Sequence, residues 1–253
     1  MHTAFVDAAG CVLTCGVYHA SVGFLGHGPD VFVVSSPRVV PALAGVAARG
    51  VAASSHHTLV LGVDGLVYAC GRGDSGRLGN GSETDHEYVP MALDATRHVR
   101  VCAIAAGRDH SLMCDEHGVA WSCGAGKDGR LGHGGGSSDA LACGSVCTPQ
   151  PIEALRGTRV CAVAAGADAS YFLSDSGSVL SCGRGDGGAL GHGGTYSRSL
   201  PALVKFPCQD VCIRAIAAGG AHCLFVDLHG SVHSCGQGTR GQLGHGDDAK
   251  QLA

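Results

Sequence analysis

A twelve-residue stretch, CGRGDSGRLGNG at 70–81, recurs along this chain and constrains its fold more than any other feature. It returns as CGAGKDGRLGHG at 123–134, CGRGDGGALGHG at 182–193 and CGQGTRGQLGHG at 235–246; a looser copy, CGVYHASVGFLGHG, occupies 15–28. The first cysteines of successive copies are 55, 53, 59 and 53 residues apart (15 to 70, 70 to 123, 123 to 182, 182 to 235). A period of this length is typical of repeat proteins in which each unit is one small supersecondary structure.

The four twelve-residue copies also contain the GxGxxG pattern of phosphate-binding loops. That pattern binds an anion where a strand ends and a helix begins, because the helix N-terminus faces the ligand. No helical pattern follows Gly81, since the next residues contain Pro90 and no apolar stripe at 3.6-residue spacing. Five copies also make a single dinucleotide site a poor explanation. The sequence therefore predicts structural turns at Gly71, Gly73, Gly76, Gly124, Gly126, Gly129, Gly183, Gly185, Gly188, Gly236, Gly238 and Gly241.

One repeat unit reads as a series of short antiparallel strands. In the unit that ends near residue 124, the small-residue strand CAIAAG is followed by a second strand, HSLMCD, a turn closed by Gly118, and a third strand, VAWSC. Glycine supplies the positive φ that tight hairpin turns need. A fourth, poorer strand such as VPMAL is expected before the small-residue strand. Four short strands in about 50 residues predict a propeller blade, with small residues where neighbouring sheets crowd together.

Histidines recur at two positions of the unit. One set stands thirteen residues before the first cysteine of the loop and is expected to bond neighbouring backbone groups; it comprises His2, His57, His110 and His222. The second set belongs to the LGHG sequence and comprises His27, His133, His192 and His245. Equivalent positions diverge from blade to blade and cannot converge on one metal ion, so we interpret the second set as polar turn residues.

The combination of AxAAGxxHS, GxVxxCG and GxGxxGxLGxG resembles the repeats of the regulator of chromosome condensation family, over essentially the whole chain. The resemblance implies blades of a seven-bladed propeller, although Cys15, Cys70, Cys123, Cys182 and Cys235 stand where that family often has Trp or Phe. Seven units of this period would need about 385 residues (7 × 55), and the chain has 253. The predicted fold class is therefore all-β, a propeller forming an incomplete arc of about five blades. Closure into a five-bladed ring is the alternative.

The predicted organisation is a single propeller domain spanning 1–253. Its repeat units are expected at 1–28 (partial), 29–81, 82–134, 135–193 and 194–246, followed by a tail at 247–253. An arc leaves unpaired sheet edges, and such edges tend to pair with other chains. Self-association through open edges is therefore expected.

Composition excludes several classes of function. The formal charge is −4 and 15% of residues are charged, a poor basis for neutralising rows of phosphates, so nucleic-acid binding is not expected. The N-terminus lacks a basic region, and no apolar run reaches the ~18 residues that span a membrane. With 253 residues the chain can bury a core without disulfides, so its 14 cysteines fit a reducing compartment, cytoplasmic or nuclear. Two C-x3-C pairs, Cys143 with Cys147 and Cys208 with Cys212, leave a zinc site open.

The predicted function is a non-enzymatic protein-interaction scaffold. No nucleophile elbow, HExxH helix or paired-carboxylate motif is present, and no cofactor or metal is predicted. Partner binding is expected on the loops at Arg72, Asp74, Arg77, Lys127, Asp128, Arg130, Arg184, Asp186 and Arg240. The family resemblance implies an alternative, guanine-nucleotide exchange on a small Ran-like GTPase, for which the longer connection at 135–151 is the nearest candidate wedge. Light sensing by clustered tryptophans is not expected, because Trp121 is the single tryptophan.

Overall fold

The protein is all-β in a computed structural model that describes residues 2–17, 23–83, 86–135, 144–207 and 211–246. Within these ranges the strands form five antiparallel sheets of three or four strands, joined by turns and short 3₁₀ segments. No helix in these ranges is long and apolar enough to cross a membrane. The prediction of an all-β repeat fold with about five sheet units is confirmed.

Two compact units make up the chain, one from residues within 1–116, 121–125 and 145–150, the other from residues within 117–120, 126–144 and 151–253. Sheets A, B and C lie mainly in the first unit. Sheet A contains β1 (His2–Val6), β2 (Val12–Val17) and β3 (Val33–Val39). Sheet B contains β4 (Ala48–Ala53), β5 (His57–Gly62), β6 (Val67–Gly71) and β7 (Glu87–Ala92), and sheet C contains β8 (Val101–Ala106), β9 (His110–Asp115), β10 (Ala120–Gly124) and β11 (Val146–Pro151).

Sheets D and E belong to the second unit. Sheet D contains β12 (Val160–Ala165), β13 (Ala169–Ser174), β14 (Val179–Gly183) and β15 (Arg198–Leu203), and sheet E contains β16 (Ile213–Ala218), β17 (His222–Asp227) and β18 (Val232–Gly236). Each full sheet is a meander in chain order. The single-domain assignment and the repeat boundaries stay predictions.

Small residues occupy the strands where neighbouring sheets approach. Within the first unit β4 contacts β1 and β8, and within the second unit β12 contacts β16. These strands read ARGVAA, VCAIAA, VCAVAA and IRAIAA. Alanine and glycine permit this close approach because they project little beyond the backbone.

The core lies between the middle strands of neighbouring sheets. Every residue of β5, β9 and β13 is buried. Leu59 and Leu61 of β5 pack in one cluster with Met113 of β9, and in the second unit Tyr171 packs with Phe225, with ring centroids 6.4 Å apart. Strands buried on both faces are expected to be continuous runs of small and apolar residues rather than alternating ones.

The fourth strand belongs to a different sheet from the one the sequence predicted. The VPMAL segment lies largely in β7, which pairs with β6 through Tyr68 and Ala92 and through Ala69 and Met91. It therefore closes the preceding sheet instead of opening the next one, and the prediction was wrong on this point. The chain order alone does not distinguish the two, because the strand lies between two sheets in the sequence.

Candidate protein-interaction surface

Four glycine loops follow the third strands of sheets B to E, which are β6, β10, β14 and β18. The loops comprise residues 71–81, 124–134, 183–193 and 236–246. The N–H after the first glycine donates to a carbonyl just before the second strand of the same sheet. These bonds join Arg72 to His56, Ala125 to Asp109, Arg184 to Asp168 and Gln237 to Ala221, with N···O distances of 2.9, 2.8, 2.8 and 3.0 Å. In a phosphate-binding loop such N–H groups point at the anion. In this protein the four N–H groups donate to backbone carbonyls of the same sheet instead.

Gly71 shows why the loop begins with glycine. Its φ is 120°, and a Cβ at this position would lie 2.5 Å from the His56 carbonyl oxygen and 2.6 Å from His57 Cα. The third glycine meets the next sheet instead: Gly76 has φ 74°, and an added Cβ would lie 2.6 Å from Cys147 Cα in β11. Because both contacts are with backbone, neither can be relieved by moving a side chain.

The charged side chains of the loops fall into an exposed group and a buried group. Arg72 pairs with Asp74 at the surface, and Arg184 Nη2 lies 2.6 Å from Asp186 Oδ2, with both side chains more than half exposed. The other exposed members are Lys127 and Arg240, and Asp128 is half-buried. The Arg77 and Arg130 side chains, in contrast, are only 4% and 2% exposed.

Arg77 lies in an interior hydrogen-bond and ion-pair network of the first unit. Its Nη1 lies 2.9 Å from Asp109 Oδ1, and its Nε donates to the Asp74 carbonyl at 2.9 Å. Asp109 also lies near Arg108 and His56, at 3.4 and 3.7 Å. The Arg77 side chain therefore connects its own glycine loop to the start of β9 in sheet C. It is buried, whereas the sequence analysis expected it on the surface.

Arg130 occupies the equivalent place in the second unit. Its Nη1 lies 2.8 Å from Asp168 Oδ1 and its Nη2 lies 3.4 Å from Asp128 Oδ2. Asp168 also faces Arg184 Nη1 at 3.9 Å, and Arg184 pairs with Asp186. The structure thus connects four predicted residues, Asp128, Arg130, Arg184 and Asp186, through one aspartate that the sequence analysis did not select.

A signal for these aspartates was present in the repeats. Where the loop residue before Leu-Gly is arginine, the residue before the second strand of the next sheet is aspartate, as in Arg77 with Asp109 and Arg130 with Asp168. Where that loop residue is Ala189, the later position is Ala221, and neither charge is present. A buried guanidinium needs an opposite charge, so the two positions change together.

His2 at the start of β1 and His57 at the start of β5 each bond a side chain of the neighbouring sheet. His57 Nε2 lies 2.9 Å from Ser111 Oγ, and that hydroxyl donates to the Arg77 carbonyl at 2.6 Å. Since the hydroxyl hydrogen is used there, the imidazole Nε2–H is the donor to Ser111. His2 Nε2 likewise lies 2.5 Å from Thr58 Oγ1. The expected backbone partners were wrong for these two histidines, which bond side-chain hydroxyls.

Burial affects the protonation of these histidines. It lowers the pKa of His2 to about 4, with a smaller contribution from the N-terminal charge. It also holds the pKa of His57 well below the ordinary value, and the positive charge of Arg77 adds to this effect. Both imidazoles are therefore neutral inside the folded protein near pH 7.

Three LGHG histidines bond hydroxyls of three separate sheets. His27, His192 and His245 place Nε2 at 3.0, 3.0 and 2.6 Å from Thr14, Ser181 and Ser234. Within the described residues no group of three or more His, Cys, Asp or Glu side chains could hold a metal ion. Cys143 and Cys208 lie outside the described residues, so the two C-x3-C pairs stay untested.

The cysteines of the described ranges are free thiols. Those of β6, β10 and β18 are buried, and burial raises the pKa of Cys70, Cys123 and Cys235 to about 12. A thiol with such a pKa is a poor nucleophile near neutral pH, because the thiolate is the reactive form. These cysteines therefore act as small apolar core residues.

The alignments with curated relatives cover most of this chain but only part of each relative. The human E3 ubiquitin-protein ligase HERC2 is 35% identical over 226 residues, which covers 87% of this chain and 4% of HERC2. The ultraviolet-B receptor UVR8 of Arabidopsis thaliana is 33% identical over 236 residues, which covers 93% of this chain and 51% of UVR8. The chain thus spans about half of UVR8 and a small part of HERC2.

Solved structures share the fold. Yeast RCC1 (Prp20), solved bound to Kap60, superposes with a TM-score of 0.82 at 23% identity, covering 100% of this chain and 58% of that one. Human WBSCR16 superposes with a TM-score of 0.84 at 24% identity, covering 99% of this chain and 63% of that one. The family model described as RCC1-like domain matches residues 1–253. The fold thus has known counterparts, and this chain belongs to the RCC1-like domain family.

Proposed function

We propose that this chain is a non-enzymatic protein-binding module whose partner contacts the exposed charged side chains of the glycine loops. The observation that carries the proposal is the pair of exposed Arg–Asp couples, Arg72 with Asp74 and Arg184 with Asp186, held on loops whose backbone is bonded to the sheets. Loops held on a rigid scaffold are common sites for binding residues, because their side chains are presented in fixed positions.

Exposure distinguishes these couples from the interior pairs. Surface ion pairs contribute about 0–1 kcal/mol to folding, so Arg184 and Asp186 are not required for stability. Arg77 and Arg130 are buried and pair with Asp109 and Asp168, so they do not belong to the proposed contact surface. The proposed contact residues are therefore Arg72, Asp74, Lys127, Asp128, Arg184, Asp186 and Arg240.

Nucleotide exchange on a small GTPase is the alternative function. The motive for this hypothesis is that Prp20p of Saccharomyces cerevisiae, whose solved structure shares this fold, binds Gsp1p and histones. That protein is 23% identical, which supports the fold alone. Residues 136–143 of the candidate wedge at 135–151 lie outside the described residues. A nucleotide-release assay with a panel of small GTPases tests the hypothesis, and unchanged release rates would reject it.

An intracellular location fits the proposal, because the described cysteines are free thiols, as in a reducing compartment. Self-association through open sheet edges stays a prediction of the sequence, and light scattering over a range of protein concentrations tests it.

The binding surface is tested by exchanging charges on one loop. Partners are captured with the wild-type protein, identified by quantitative mass spectrometry, produced pure and titrated against the variants by calorimetry. The double substitution Arg184→Asp and Asp186→Arg should weaken binding at least tenfold, because it reverses both exposed charges. Circular dichroism at the titration temperature should show the spectrum of the folded wild type.

A matched exchange elsewhere provides the control. Glu153 and Arg156 form another exposed pair in the same unit, 3.7 Å apart, with side chains 70% and 86% exposed. Exchanging these two charges should change the affinity less than twofold. Equal affinity for the wild type and the Arg184/Asp186 variant would contradict the proposed surface.

A further inference from the structure

One pair of facing residues distinguishes sheet E from other sheets. In sheets A, B and D the repeated first cysteine lies opposite a residue with a hydroxyl group, in the pairs Thr3 with Cys15, Thr58 with Cys70 and Ser170 with Cys182. In sheet E a second thiol replaces the hydroxyl, because Cys223 of β17 lies opposite Cys235 of β18. These two cysteines are buried, 0% and 2% exposed. Sheet E therefore holds two facing thiols where sheets A, B and D hold one.

The side chains at these two positions converge on one backbone carbonyl of the preceding repeat. In sheets B, C and D the hydroxyl oxygen lies 2.5–2.8 Å from that carbonyl oxygen and the sulfur lies 3.8–3.9 Å from it. The groups are Thr58 and Cys70 at Phe24, Ser111 and Cys123 at Arg77, and Ser170 and Cys182 at Arg130. The two side chains of a facing pair therefore lie on the same face of the sheet, next to each other.

The equivalent carbonyl beside sheet E is that of Ala189, and its hydroxyl donor comes from a different residue. Tyr171 of β13 donates its phenol O–H to the Ala189 carbonyl at 2.6 Å, and Cys235 Sγ lies 3.4 Å from the same oxygen. Cys223 Sγ instead lies 3.3 Å from the carbonyl oxygen of Ala217. Because Tyr171 supplies the strong hydrogen bond, the Ala189 carbonyl does not depend on either thiol.

The strand pairing holds the two cysteines at a separation that suits a disulfide. Facing residues of an antiparallel ladder alternate between hydrogen-bonded and non-hydrogen-bonded pairs. Cys223 and Cys235 are a hydrogen-bonded pair, since they lie an even number of steps from the ladder bonds that join Gln237 to Ala221 and Asp227 to Ser231. Facing Cα atoms at such a site are about 5.5 Å apart, and a disulfide joins Cα atoms about 4.4–6.8 Å apart. The folded hairpin therefore already has the backbone separation of a disulfide-bonded pair.

We propose that Cys223 and Cys235 are a redox modification site, which a low-molecular-weight disulfide such as glutathione disulfide converts reversibly into an intramolecular disulfide. One cysteine attacks the reagent and releases one molecule of glutathione, and the other cysteine then attacks the mixed disulfide and releases the second. Two S–H bonds of the protein are replaced by one S–S bond, and the S–S bond of the reagent is replaced by two S–H bonds. This site does not use the exposed charges of the glycine loops.

Burial sets the rate of this reaction, and Tyr171 makes the oxidised state compatible with the fold. Burial raises the pKa of Cys223 well above the ordinary value and that of Cys235 to about 12, so exchange takes place while the hairpin is locally open. When the sheet closes again, the Cys235 S–H is no longer present to donate to Ala189. The Tyr171 hydroxyl still satisfies that carbonyl, so oxidation leaves no buried acceptor without a donor.

Mass spectrometry after thiol blocking tests the proposal on the full chain. The folded protein is equilibrated with glutathione and glutathione disulfide, denatured in N-ethylmaleimide and digested with trypsin. A second sample is refolded from urea in the same buffers, so that burial of the thiols does not limit the reaction. The tryptic peptide 215–240 contains Cys223 and Cys235 and no other cysteine. With excess glutathione disulfide, this peptide should be unblocked and two hydrogen masses lighter in both samples, and prior reduction should give two blocked thiols.

The same digest contains a matched control. The tryptic peptide 160–184 also has two cysteines, Cys161 and Cys182, but these lie in β12 and β14, which are separated by β13. It should show no internal disulfide under conditions that oxidise peptide 215–240 completely. Two blocked or glutathione-modified cysteines in peptide 215–240 of both samples would overturn the proposal. Internal disulfides in both peptides to the same extent would also overturn it, because the facing geometry would then not matter.

A tyrosine variant tests the part assigned to Tyr171. In Tyr171→Phe the Ala189 carbonyl depends on the Cys235 S–H, so oxidation removes that donor and disfavours the disulfide. The ratio of squared glutathione concentration to glutathione disulfide concentration at half-oxidation of peptide 215–240 should fall at least threefold. Tyr196→Phe is the matched control, since Tyr196 is 86% exposed, and its ratio should equal that of the wild type. An unchanged ratio in Tyr171→Phe, or an equal fall in Tyr196→Phe, would overturn the part assigned to Tyr171.

Discussion

The Nη1 atom of Arg77 lies 2.9 Å from Oδ1 of Asp109, which joins a glycine loop of one repeat to the start of β9 in the next. The guanidinium is almost wholly buried, whereas the carboxylate is about a quarter exposed. A pair of this kind is weak evidence for net stability, but removing one partner leaves a buried charge without compensation.

Asp109→Ala should therefore destabilise the protein by about 2–3 kcal/mol, below the range for a fully buried pair because Asp109 is partly exposed. The double variant Arg77→Ala and Asp109→Ala copies the combination found at Ala189 and Ala221. It should be more stable than the sum of the single changes predicts, by at least about 1 kcal/mol. Urea unfolding followed by circular dichroism measures Arg77→Ala, Asp109→Ala and the double variant, and additive effects would contradict the coupling.

Gly71→Ala should destabilise the fold by at least about 2 kcal/mol, because its φ of 120° and two backbone contacts leave no room for a methyl group. Gly45 is the matched control in the same unit, since its φ is also positive, at 86°, and no atom lies within 4 Å of an added Cβ. Gly45→Ala should cost about 1 kcal/mol, the strain of φ alone. Thermal unfolding compares the two, and equal losses would contradict the steric argument.

Stability should fall as the pH drops below about 6.5, where unfolded histidines begin to bind protons. The pKa of His57 and of His2 is lowered in the folded protein, so the unfolded chain binds protons that the folded one does not. Each histidine contributes a slope of up to about 1.4 kcal/mol per pH unit. Their contribution is fully present above pH 6.5 and is lost progressively below it, for His2 down to about pH 4.

Urea unfolding between pH 7 and 5 measures this slope. His57→Gln should reduce it by about one proton, because the imidazole that the unfolded chain protonates is then absent. A His57→Gln slope equal to that of the wild type would show that His57 is protonated in the folded protein.

Much of the fold could be predicted because the repeat carries redundant information. The small-residue strand, the two following strands and the turn glycines such as Gly118 recur together, so an ambiguity in one copy is resolved in another. The exceptions concern relations between repeats. Arg77 and Arg72 look alike in the sequence, but the first is buried by Asp109 of the next sheet and the second is exposed.

Other features could not be predicted without coordinates. The sheet that β7 joins depends on which third strand lies beside it, and strand order along the chain does not determine this. The hydroxyl partner of His57 lies 54 residues away in the sequence, in the neighbouring sheet. The coupled arginine and aspartate positions, in contrast, were visible in the sequence once the repeats were aligned.

The GxGxxG stretches join strands of a repeat fold through their backbone, and we expect that they do not bind phosphate. Residue-resolved amide exchange, with and without pyrophosphate, tests it most directly at Arg72, Ala125, Arg184 and Gln237, whose N–H groups donate to strand carbonyls. We expect slow exchange at these amides, and pyrophosphate should leave the rates unchanged. Fast exchange that slows only when the anion is added would contradict it.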